Sequence, residues 1–288
     1  MKEAKHYKKL QGKKIQCEMC PRKCIVKNGE KGFCKARENK EGKFYSLVYA
    51  APCSVNVDPI EKKPLFHFLS GTKTYSVGTT GCNLRCKFCQ NWQISQAVPE
   101  DVPFLDLSPA SVVGDAIVKG CESISYTYTE PSIFFEYVLD TAKLARKKGL
   151  KNIIVSNGFV NQKPLKEMCK VIDAANIDLK SFSNEFYKKY TGAWLKPVLE
   201  SLKTIKKEGV WLEITNLLIN RLNDGPVEIK KMCKWIKEEL GEEVPIHFSR
   251  FFPNYLMQDI SPTDKDKLYE AEKIAKEVGL KYVYLGNI

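Results

Sequence analysis

From Thr74 to its C-terminus the chain alternates short apolar runs with amphipathic stretches, and this rhythm restricts the possible folds more than any other feature. The runs Thr74–Thr79, Ser123–Tyr128, Asn152–Ser156, Ala175–Leu179, Trp211–Ile219, Pro245–Phe251 and Lys281–Leu285 have the length and composition of buried strands. Between them lie Pro109–Lys119, Pro131–Lys148, Pro164–Asp173, Pro197–Lys207, Pro226–Leu240 and Thr263–Val278, read as helices. All but the last begin at proline, which suits a first helical turn because the N–H it lacks has no partner there. Alternating strands and helices predict parallel βαβ units and an α/β fold, either a whole or partial barrel or a doubly wound sheet. Thr80, Glu130, Asn157, Lys180, Asn216 and Arg250 fall at predicted strand ends. Polar residues converging on one mouth favour the barrel.

The first part of the chain has a different character. Residues 12–60 are rich in cysteine, glycine and proline and too few to build a strong core, so a metal staple is expected there. Lys43–Ala50 reads as a short strand or hairpin arm. The expected division is a cysteine-rich, metal-binding region over 1–70 and the α/β unit over 71–288. No apolar run approaches the roughly 18 residues that span a membrane. Met1–Tyr7 has no apolar signal core, so the eleven cysteines point to metal in a reducing cytoplasm rather than to disulfides. The net charge of +12 comes from lysines spread along helix faces, which favours an ordinary Lys/Glu-rich surface over a nucleic-acid-binding arm.

Seven of the eleven cysteines form two tight groups. Cys82, Cys86 and Cys89 have the spacing C-x3-C-x2-C with no fourth cysteine close by. A four-iron cluster takes one thiolate per iron, so three thiolates leave one iron open to a small molecule. The competing reading is a zinc site completed by His67 or His247. Cys17, Cys20, Cys24 and Cys34 form a second group, C-x2-C-x3-C-x9-C, with Gly29 and Gly32 allowing the turn that returns Cys34. Four thiolates can satisfy either an auxiliary [4Fe–4S] cluster or a zinc ion. Cys121, Cys169 and Cys233 are scattered and read as bystanders, and Cys53 follows the Cys17–Cys34 group closely.

The run Gly81-Cys82-Asn83-Leu84-Arg85-Cys86-Lys87-Phe88-Cys89 resembles the signature of the radical S-adenosylmethionine (SAM) superfamily. Asp58–Leu65, Gly78–Leu84, Phe88–Trp92 and Tyr282–Asn287 are similar to its subgroup related to pyruvate formate-lyase activating enzymes, and in particular to the radical SAM member of the AmmeMemoRadiSam system. The resemblance implies a partial (β/α)6-type TIM barrel with the N-terminal region as a small appendage. It also implies reductive cleavage of SAM at a [4Fe–4S] cluster, giving a 5′-deoxyadenosyl radical that abstracts hydrogen from a substrate. A reducing donor such as ferredoxin or flavodoxin would serve it, and the other AmmeMemoRadiSam proteins are its expected partners. Members often continue past the Tyr-Leu-Gly-Asn segment into a cysteine-bearing tail, whereas this sequence ends at Ile288.

The resemblance also nominates residues. Glu130-Pro131 matches half of a Gly-Gly-Glu-Pro segment that receives the SAM ammonium, Tyr128 and Thr129 replacing the glycines. Glu130 also suits a plain cap for the helix at Pro131. Ser156-Asn157-Gly158 is similar to a turn beside SAM. Asp178 and Lys180 correspond to a segment near the SAM carboxylate, or form a simple salt bridge on one strand face. Where relatives carry an arginine on the fifth strand this chain has Glu213. His247 stands near the expected position of a SAM-proximal histidine. Besides modification of a small molecule, RNA or peptide, two functions remain open: activation of a glycyl-radical enzyme, and a non-catalytic iron–sulfur or zinc protein binding nucleic acid.

Overall fold

The computed structural model describes residues 1–288. The chain opens with β1 (Lys2–Glu3), β2 (Tyr7–Lys9), β3 (Ile15–Cys17), β4 (Ile25–Val26), β5 (Arg37–Lys40) and β6 (Lys43–Ser46). They form two small antiparallel sheets, ordered β1–β6–β5 and β2–β3–β4. Next come β7 (Ser54–Pro59), β8 (Lys73–Gly78), β9 (Ser123–Tyr126), β10 (Lys151–Ser156), β11 (Ala174–Asp178), β12 (Trp211–Leu218), β13 (Ile246–Arg250) and β14 (Val283–Gly286). They make one eight-stranded sheet in sequence order, with β7 and β14 at its edges. β8 to β14 run parallel, and only β7 runs antiparallel, against β8.

The helices are α1 (Trp92–Ser95), α2 (Pro109–Val118), α3 (Phe135–Lys147), α4 (Gln162–Cys169), α5 (Asn184–Phe186), α6 (Leu195–Lys207), α7 (Pro226–Leu240) and α8 (Lys265–Val278). Helices α2, α3, α4, α6, α7 and α8 supply the six crossovers that parallel strands require. Helix α6 shows the packing logic: Leu195, Val198, Leu202 and Ile205 recur at helical spacing and are buried, while its lysines face water. Strands β9 and β11 are buried on both faces, as expected of a parallel sheet covered by helices. No helix is long and apolar enough to cross a membrane, and all eleven cysteines are free thiols.

Each of the seven expected strands forms, within two residues at its ends. Three details differ. Ser54–Pro59 joins the large sheet ahead of the expected boundary at residue 70, and its half-polar, partly exposed side chains are those of an edge strand. The proline starts at 164 and 197 come two residues late: α4 begins at Gln162 and α6 at Leu195, because the first four N–H groups of a helix need no intrahelical acceptor. The stretch from Pro131 opens with a single 3-10 turn, Pro131–Phe134, before α3 begins.

The N-terminal sheets do not carry a separate core. Ile15, Met19, Val26, Ala36 and Phe44 belong to the same contiguous apolar cluster as Ile124 and Phe135 of the large unit. Arg37 on β5 pins the two together. Its guanidinium lies 2.9 Å from Glu136 on α3 and donates to the Ile133 carbonyl at 3.1 Å. The other Glu136 oxygen accepts the Lys5 N–H at 2.7 Å.

Candidate active site

Parallel strands present all their C-terminal ends on one side, and there a cavity of about 680 Å³ opens. Cys82, Cys86 and Cys89 line it from the loop between β8 and α1. That loop is pinned from outside: Arg85 N–H donates to the Thr191 carbonyl at 2.8 Å and Lys87 N–H to that of Tyr190 at 2.9 Å. Gly81 has φ +100°, and an added Cβ would collide with the Cys34 carbonyl oxygen. Gly81→Ala is therefore expected to lower unfolding stability by at least about 2 kcal/mol, through a strained φ and a backbone collision together. A shift of the urea midpoint of less than a few tenths of a molar would refute this account of the loop.

Two of the three sulfurs receive polar contacts of the kind that tune metal-bound thiolates. Leu84 N–H points at Cys82 Sγ at 3.4 Å, Asn157 Nδ2 at the same sulfur at 3.7 Å, and Ser95 Oγ lies 3.2 Å from Cys89 Sγ. Burial pushes the Cys82 thiol well above its ordinary pKa and that of Cys86 up to about 12, so metal binding must displace their protons. The histidines of the zinc alternative are engaged elsewhere. His67 Nε2 is 2.5 Å from Tyr284 Oη, and His247 Nε2 is 2.7 Å from Glu213 Oε2. Nowhere do three or more His, Cys, Asp or Glu side chains close to the spacing of a single ion. Three inward thiols with no fourth ligand suit a cluster with an open iron.

Of the nominated residues, Asn157, Asp178, Lys180 and His247 reach the cavity. Lys180 Nζ lies 2.9 Å from Asp178 Oδ2, so the pair makes its salt bridge while facing the open space. Burial opposes the charge on Lys180, but Asp178 and Cys86 outweigh it and raise its pKa, so it stays an ammonium. Glu130 and Ser156 lie behind the wall instead. Glu130 is fully buried, and its carboxylate accepts from Ser132 N–H, Ser156 Oγ and Asn157 N–H at 2.9–3.1 Å. It caps the turn at Pro131 and holds the β9 and β10 ends together, with no oxygen left for a ligand's ammonium. Asn157, oriented by that network, also donates to Asn83 Oδ1 at 2.9 Å.

Two groups received no role from the sequence reading. Glu213, in place of an arginine, is buried and accepts from Phe66 N–H, His67 N–H, Trp211 Nε1 and His247 at 2.7–3.1 Å. It orients His247, whose ring also stacks on Tyr284. Lys63, buried at the cavity edge, pairs with Asp58 at 2.7 Å, and Tyr128 Oη donates to the same oxygen at 2.6 Å. Tyr128 takes φ +68°, a conformation a bulky residue rarely adopts, while its carbonyl accepts from Asn91 at 2.7 Å. The Asp58-to-Lys63 stretch was visible as a family-like segment, but its contact with Tyr128 spans 70 positions and carries no local signal.

A sequence model of the Radical SAM superfamily matches residues 76–236. An uncharacterised protein of Methanocaldococcus jannaschii is 46% identical over 288 residues, covering 100% of this chain and 86% of its own. The pyruvate formate-lyase-activating enzyme of Clostridium pasteurianum is 25% identical over 222 residues, 69% of this chain and 88% of its own. Among solved structures, a radical SAM methyltransferase from Sphaerobacter thermophilus superposes with a TM-score of 0.60 at 12% identity, over 77% of this chain and 68% of that one.

Proposed function

Because the chain belongs to the radical SAM superfamily and is related to pyruvate formate-lyase activating enzymes, we propose that the cavity at the strand ends holds a [4Fe–4S] cluster on Cys82, Cys86 and Cys89 together with SAM. The observation that carries this is the placement of three inward thiols beside a partly buried ammonium–carboxylate pair. When bound, the cluster supplies one electron that cleaves SAM to a 5′-deoxyadenosyl radical, which takes a hydrogen atom from the substrate. The protein's own part is to bind, orient and exclude water. Lys180 and Asp178 offer one fixed cation and one fixed anion, matched to the carboxylate and ammonium of an amino-acid zwitterion. Asn157 donates to Cys82 Sγ, and Glu213 fixes the ring of His247 at the opposite wall. The open sheet is read as a partial (β/α)6-type barrel that shelters this chemistry, in a cytoplasmic protein.

Anaerobic reconstitution followed by dithionite and SAM is expected to release 5′-deoxyadenosine. A protein with an intact, reduced cluster that releases none would sink the proposal. Lys180→Met is expected to lower the SAM-dependent rate by about 10- to 100-fold, the worth of one hydrogen bond to a charged group. An unchanged kcat/KM for SAM would remove Lys180 from its binding.

The substrate reading follows the stretches Asp58–Leu65 and Tyr282–Asn287, which resemble the AmmeMemoRadiSam group and favour modification of a small molecule, RNA or peptide. The similarity to the C. pasteurianum activase supports glycyl-radical activation as a second reading. A glycyl-radical signal appearing in a candidate glycyl-radical protein, with SAM and reductant present, would decide for the latter.

A further inference from the structure

Resting on the reading above, we propose that Cys17, Cys20, Cys24 and Cys34 hold a second, fully thiolate-ligated iron–sulfur cluster, and that it delivers the electron to the cluster on Cys82, Cys86 and Cys89. The four cysteines line one small cavity. Backbone turns bring them there: Cys17 N–H donates to the Cys24 carbonyl at 2.9 Å, and Lys35 N–H to that of Gly32 at 2.8 Å. Lys23 and Lys35, each next to one of these cysteines, take φ +46° and +65°. Strain of that kind persists where surrounding structure enforces it, as at metal-binding loops. A tetrahedral zinc ion with bonds of about 2.3 Å would hold its sulfurs about 3.8 Å apart. No such single-ion gathering is present, and the C-x2-C-x3-C spacing departs from the paired C-x2-C elements usual at zinc sites, so a cluster suits the four thiols better.

The two cysteine groups are also neighbours in space. Asn83, inside the C-x3-C-x2-C run, lines the N-terminal cavity, and its carbonyl accepts from Arg22 Nε at 2.7 Å. Arg85, in the same run, donates to the Cys82 carbonyl at 2.9 Å and also to the Phe33 carbonyl, one residue before Cys34. Both guanidinium groups lie on the Phe33 ring, 3.6 and 4.0 Å from its centroid. Two fixed cations thus sit between two anionic sites, where they favour the arrival of an electron. Cys24 is partly exposed beside Ile25, which is 62% exposed, so the N-terminal site has an edge toward solvent. The transfer balances simply. A low-potential one-electron donor is oxidised, the N-terminal cluster takes that electron and passes it on, and no bond or proton changes at either arginine.

The test is elemental analysis with Mössbauer and EPR spectroscopy on full-length protein reconstituted anaerobically. About eight irons and eight sulfides per chain are expected, and about four of each in Cys82→Ala/Cys86→Ala/Cys89→Ala. The reduced signal of that variant should ignore SAM, whereas that of Cys20→Ala/Cys24→Ala should respond to it. In the doubly reduced wild type the two signals should broaden each other. Stopped-flow reduction of the SAM-responsive cluster by reduced ferredoxin should slow at least tenfold in Cys20→Ala/Cys24→Ala. One zinc and no sulfide in the triplet variant would overturn the second cluster. Two clusters without mutual broadening would overturn the relay. Wild type with both clusters but no 5′-deoxyadenosine would overturn the SAM reading and leave the second cluster standing. Should Cys20→Ala/Cys24→Ala fail to fold, the triplet variant and the wild-type broadening decide both points.

Discussion

Cys86→Ala should abolish SAM-dependent 5′-deoxyadenosine release, by at least about a thousandfold, while leaving the fold intact. The two effects separate because Cys86 contributes little to packing. It is a small buried side chain on a loop held by backbone hydrogen bonds from Arg85 and Lys87, not by its sulfur. Trimming one small side chain costs on the order of 1 kcal/mol. A cluster that has lost one of three thiolates has no substitute: His67 and His247 are bonded to Tyr284 and Glu213, and Cys53 Sγ lies against the Gly78 carbonyl at 3.7 Å. The expected readings are loss of the SAM-responsive EPR signal and of about four irons, with far-UV circular dichroism unchanged. Retained SAM cleavage would mean that the cavity chemistry does not depend on this sulfur.

Arg37→Met should cost about 3–5 kcal/mol of unfolding stability, and Glu136→Leu a similar amount. The pair is almost completely buried, at 1% and 2% side-chain exposure, so removing one partner strands the other charge without water. Each also holds backbone groups: Arg37 the Ile133 carbonyl, Glu136 the Lys5 N–H. The double variant Arg37→Met/Glu136→Leu should recover much of the loss, because it leaves no unpaired charge in the core. Urea unfolding of the anaerobically prepared holoprotein measures all three. Near-neutral single variants would show that the N-terminal sheets are held to the large unit by apolar contact alone. Because Arg37 also lines the four-cysteine cavity, the single variants should lose iron from that site first.

Much of the architecture was legible because its causes are local. Apolar runs bounded by helical stretches predict the parallel strands, and prolines mark four helix starts to within two residues, with α3 beginning four residues after Pro131. The edge strand Ser54–Pro59 escaped because half its side chains face water and so carry no apolar run. Asn157, Asp178, Lys180 and His247 line the cavity because strand ends in a parallel sheet share one rim. Glu130 turns away from it, toward the cap that its sequence position also allows. A strand end places a residue at the rim but does not say which way its side chain turns, and here Ser132, Ser156 and Asn157 turn it inward.

The sequence by itself determined the α/β alternation, the two cysteine groups and their capacity to bind metal, since spacing along the chain sets which thiols can share a site. Only the tertiary structure decided that the two groups are neighbours, that Glu213 rather than a cation stands beside His247, and that Arg37 locks the cysteine-rich start onto α3. These are contacts between positions 34 to 99 residues apart. They depend on how packed helices and strands bring distant segments together, which no local pattern of side chains encodes.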